Sequence, residues 1–83
     1  MAKYDPLRTF LSAQPGHDTT LSFVQIEQVI GAPLPPSARA YPMWWSNETG
    51  RERHVQAEAW LRSGWRVQEV KFHEQIVTFR RVG

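Results

Sequence analysis

The 83-residue chain contains no cysteine, so neither a disulfide framework nor a zinc–thiolate site can stabilise its fold. No stretch approaches the roughly 20 apolar residues that a membrane-spanning helix requires, and the opening Met1-Ala2-Lys3-Tyr4-Asp5-Pro6 has no apolar signal-peptide core. A soluble, cytoplasmic protein without a membrane partner is expected. Lysine is scarce, two residues against eight arginines, so the basic character rests on groups that stay charged at any relevant pH. No glycine-rich phosphate loop and no nucleophile motif occur. The three histidines, His17, His54 and His73, are too scattered for a metal set. No catalytic residue, metal or cofactor is therefore assigned.

Aromatic residues fill the space those absences leave. They make up 12% of the chain and include Trp44, Trp45, Trp60 and Trp65. Large rings bring much apolar area per residue, which lets a short chain build a core without cross-links. Residues 1–83 read as a single domain, with no repeat and no linker.

Local signals place the elements. Asp5-Pro6 marks a helix start, with Asp5 as cap, and Pro15-Gly16 ends that helix. Ser22 and Gln25 have capping-box spacing, Leu21 and Ile26 the staple positions, and Gly31 with Pro33 a stop, giving a helix over 23–30. Thr19-Thr20-Leu21 before it suits a short strand. Four prolines between 33 and 42 exclude a long helix there, while Pro36–Ala40 allows a turn or two. A third main helix covers 53–63, with Ala57, Trp60 and Leu61 as its core stripe and Arg51, Gln56, Glu58, Ala59 and Arg62 on the other side. The chain closes as a hairpin, 65–72 and 76–82 around His73-Glu74-Gln75. Val67 and Val70 have opposite parity, which calls for a bulge at Gln68-Glu69.

An α+β fold follows, three main helices and a C-terminal β-hairpin, in the order of a winged helix-turn-helix domain. The 31–51 stretch is much longer than the turn of that motif. The chain also resembles a family of small uncharacterised prokaryotic domains. The likeness lies in Tyr4-Asp5-Pro6-Leu7, Leu34-Pro35-Pro36-Ser37-Ala38-Arg39, Trp44-Trp45 with Asn47, His54, Gln56-Ala57, Ala59-Trp60-Leu61, Gly64-Trp65-Arg66-Val67 and Phe79-Arg80. It spans nearly the whole chain. It implies a self-contained domain linked to DNA or defence, and it transfers no catalytic residue.

Charge gives the function class. Residues 1–46 balance three basic against three acidic groups, whereas 47–83 carry seven basic and five acidic. The leading expectation is a small regulatory or defence-related domain that binds double-stranded DNA. Arg51, Gln56 and Arg62 of the third helix would read base edges, with Arg66, Lys71, Arg80 and Arg81 of the hairpin on phosphates. A second constellation, Ser37, Arg39, Trp44, Trp45, Asn47 and His54, has the groups to stack a base or hold a protein partner. The competing reading puts at least one of Trp44 and Trp45 in the core. Two further alternatives are a homodimer paired through Ile76–Phe79 or through exposed tryptophan, and a small basic ribonuclease using His54.

Overall fold

The computed structural model describes residues 3–47 and 55–82. Along the chain run α1 (Asp5–Ser12), β1 (Asp18–Ser22), α2 (Phe23–Ile30), α3 (Pro36–Ala40), a 3-10 turn (Pro42–Trp45), α4 (Val55–Leu61), β2 (Trp65–Lys71) and β3 (Ile76–Arg81). The architecture is α+β, four α-helices with a three-stranded antiparallel sheet ordered β1-β3-β2. It differs from three helices and a hairpin in two places. The proline-rich stretch folds into α3 and the 3-10 turn, and β1 joins the hairpin as a third strand. The expected third helix corresponds to α4. Because β3 lies in the middle, both of its edges are used within the chain, and Ile76–Phe79 is no dimerisation edge.

Helix α1 begins at Asp5, one residue earlier than a capping role for Asp5 requires. Tyr4 is the cap and contributes no side-chain hydrogen bond. Asp5 instead sits in the first turn, where a carboxylate favours the positive end of the helix. Leu7 and Leu11 of the same helix are buried. Helix α2 follows its signals closely. Ser22 Oγ accepts from Gln25 N at 3.0 Å, and Gln25 Oε1 accepts from Ser22 N at 2.8 Å. At the other end Gly31 is left-handed, with φ 71°, and its N–H bonds Glu27 O at 2.8 Å.

The hairpin contains the expected bulge. Val67 opposes Phe79, and Val70 opposes Val77, so Gln68 and Glu69 on β2 together face the single Thr78 on β3. Val67, Phe79, Val70 and Val77 face the helices, and the extra residue lets the pattern return to the same face.

A run of stacked rings ties the layers together. Phe23 of α2 stacks on Trp45 with centroids 5.6 Å apart, and Trp45 stacks on Trp60 of α4 at 5.9 Å. Trp60 then meets Phe79 of β3 at 5.8 Å. These four residues come from four elements, and each is at most 2% exposed. The core is thus aromatic from α2 through α4 to the sheet, which is how so short a chain closes without cross-links.

Candidate nucleic-acid interface

Strand parity sorts the basic residues of the hairpin. Trp65, Val67, Val77 and Phe79 are buried against the helices, so their neighbours point to the other face of the sheet. Arg66 and Arg80 are direct partners across β2 and β3 on that outer face. Lys71, opposite Ile76, lies on the same face about 13 Å further along. Arg66, Lys71 and Arg80 are all exposed. Arg80 Nε bonds Asp18 Oδ1 at 3.0 Å, while Arg66 and Lys71 have no carboxylate partner among the described residues.

Arg81 belongs elsewhere. It is the cross-strand partner of Trp65, and its guanidinium lies 4.5 Å from that ring's centroid. Its Nε donates to Gly16 O at 2.8 Å, and its Nη2 donates to Gln14 O. A guanidinium whose fork is taken by two carbonyls and whose plane covers an indole holds the α1–β1 loop against the sheet. It therefore lies on the opposite face of the sheet from Arg66 and Arg80, with which the sequence groups it.

The expected reading face of α4 is also altered. Gln56 is 7% exposed, and its Nε2 donates to Trp44 O at 2.9 Å, so it serves the interior. Ala59 is 5% exposed, because the helix packs against α1 as well as the sheet. Arg62 is exposed and pairs with Glu58 one turn back at 3.2 Å. Arg51 and His54 lie outside the described residues.

The 37–47 segment is anchored in the core through Ala38 and Trp45. Trp45, 2% exposed, donates from Nε1 to Ala38 O at 2.7 Å. Trp44 is half-buried, its ring meeting Trp45 at 4.6 Å and the edge of Tyr4 at 5.8 Å. Ser37 is half-buried and its carbonyl accepts from Tyr41 N. Asn47 Oδ1 accepts from Trp60 Nε1 and Val67 N, and its Nδ2 donates to Val67 O. Arg39 Nη2 donates to Glu27 Oε2 at 2.8 Å, and the same oxygen accepts from Leu34 N at 2.7 Å. The Leu34 N–H foremost, then the Arg39 guanidinium, hold the Glu27 carboxyl below the usual range. Glu27 was no candidate from sequence, since a carboxylate on a helix gives no sign that it will fasten a proline loop.

A second basic site appears that sequence reasoning missed. Lys3, Tyr4, Asp5 and Arg8 face Glu58, Ala59 and Arg62 across a cleft of about 440 Å³ between the start of α1 and α4. Among the described residues Lys3 and Arg8 have no carboxylate partner. The one sequence signal was that Asp5 and Arg8 share a helix face. Among the described residues no group of His, Cys, Asp and Glu could hold a metal ion, and no helix is long and apolar enough to cross a membrane.

Residues 4–82 match the family model of a domain of unknown function, DUF7662, and the chain belongs to that family. No curated protein and no solved structure matches the chain.

Proposed function

We propose that this domain binds double-stranded DNA in the manner of a winged helix, with the β2–β3 hairpin laid along the sugar-phosphate backbone. The observation that carries the reading is the juxtaposition of Arg66 and Arg80 on one rung of the open sheet face, with Lys71 further along it. Cations fixed on a rigid sheet meet phosphates with little loss of conformational freedom. The element order supports the winged-helix comparison. A strand between the first two helices pairs with the last strand of the hairpin, and α4 leads directly into that hairpin. Asp18 and Glu69 on the same face keep the affinity modest and give weight to ionic strength.

Binding of a labelled duplex between about 50 and 200 mM salt tests this. Three phosphate contacts correspond to a log–log slope of about −2.7, and each removed cation lowers it by about 0.9. The double variant Arg66→Glu/Arg80→Glu abolishes binding while keeping its circular dichroism. Salt-insensitive binding, or a double variant that binds like the parent, overturns the reading.

A second reading has its own observation. Tyr41, which caps the 3-10 turn, and Met43 within it are 63% and 64% exposed, an apolar corner of the kind that holds protein partners. It moves the protein-interaction alternative from Trp44-Trp45 to their solvent-facing neighbours. Loss of a partner on Tyr41→Ser/Met43→Ser, with DNA binding intact, is its test.

A further inference from the structure

We infer that the cleft between α1 and α4 is a nucleotide site, taking one phosphate-bearing nucleotide unit with the base on its apolar wall. The inference rests on the nucleic-acid reading above but uses different residues. A volume of about 440 Å³ falls within the range of small-molecule sites. Tyr4 and Ala59 give the wall, and Lys3, Arg8 and Arg62 bring three cations against the carboxylates of Asp5 and Glu58. Glu58 is already held by Arg62 at 3.2 Å. Among the described residues Lys3 and Arg8 have no carboxylate within ion-pair distance, so an arriving anion meets cationic charge there.

The wall is fixed as well as apolar. The Tyr4 ring meets Trp44 edge-on at 5.8 Å, and the Lys3 ammonium lies 5.6 Å from its centroid. Burial pushes the Tyr4 phenol up from its ordinary value, and the neutral hydroxyl can donate a hydrogen bond. An aromatic face beside paired cations is the combination that single nucleotides require, with stacking for the base and guanidinium for the phosphate. The outer sheet face has the cations without any ring.

Isothermal titration of the full chain with AMP, with adenosine and inorganic phosphate as separate titrants, tests the site. Saturable AMP binding is expected, with adenosine and phosphate each at least roughly tenfold weaker, the loss of one charge-assisted contact or of the stacked base. Arg8→Glu abolishes it, and Lys3→Glu weakens it in case the first variant fails to fold. Arg66→Glu leaves it unchanged. No saturation at millimolar AMP, or equal binding of phosphate and AMP, overturns the nucleotide site. Absence of AMP binding together with salt-sensitive duplex binding refutes the cleft and leaves the hairpin reading standing. The reverse result supports the cleft and refutes the hairpin.

Discussion

The side chain of Asn47 closes a ring with the backbone of Val67. Its Nδ2 donates to Val67 O at 3.0 Å, and its Oδ1 accepts from Val67 N at 2.8 Å. A carboxamide thus does for β2 what a neighbouring strand would do, at the edge opposite β3. Because Oδ1 also accepts from Trp60 Nε1 at 3.0 Å, one side chain joins the edge of the sheet to the centre of the aromatic stack. Asn47→Ala leaves buried donors unpaired and should cost about 2–4 kcal/mol in urea unfolding. Asn47→Asp keeps the acceptors but sets a carboxylate against Val67 O. Its deficit should shrink as the pH falls and the acid regains a proton to donate.

Arg81 and Arg66 are separable by experiment. Arg81→Lys removes the fork and the plane that cover Trp65, and a loss of about 1–2 kcal/mol in stability is expected with duplex affinity barely moved. Arg66→Ala should do the opposite, leaving the urea midpoint in place and lowering the salt slope. Matching effects of the two substitutions on binding would disprove the division of labour between the two faces.

Glu27 gives the acid limb a named contributor. Its folded carboxyl lies below the ordinary 4.5, so the bonds to Leu34 and Arg39 are fully present above that pH and are lost as the pH falls through the lowered folded value. Urea midpoints of the parent and Glu27→Gln should differ most at neutral pH and converge in acid. A gap that stays constant with pH would mean that the charge on Glu27 is not what secures the loop.

The cap of α2 is accessible to a simple substitution. Ser22→Ala removes the acceptor for Gln25 N and should cost about 1 kcal/mol. Adding Gln25→Ala should cost little more if the two bonds act as one unit, which a double-mutant cycle will read directly.

What the sequence disclosed was mostly local. The α2 caps, the α3 turn and the bulge in β2 all follow from neighbours within a few residues, and each is found where those neighbours put it. Helical stepping sees only α4 and puts Gln56 on its outer side, whereas its burial depends on Trp44 O, offered by a segment without periodicity. The contacts of Arg81 are just as nonlocal. Its carbonyl partners at Gln14 and Gly16 are far away in the chain. Charge composition found the cations of the hairpin, but the cleft needed α1 and α4 side by side, and only tertiary packing brings Lys3 and Arg8 opposite Arg62.

Ser22 is at once the last rung of β1, opposite Ile76, and the cap of α2. No linker separates strand from helix, and Phe23 N bonds Gln75 O in the hairpin loop at 2.8 Å. The joint therefore has no slack. Strand β1, helix α2 and the hairpin loop thus meet at one point, and the direction in which α2 leaves the sheet is set by a single serine.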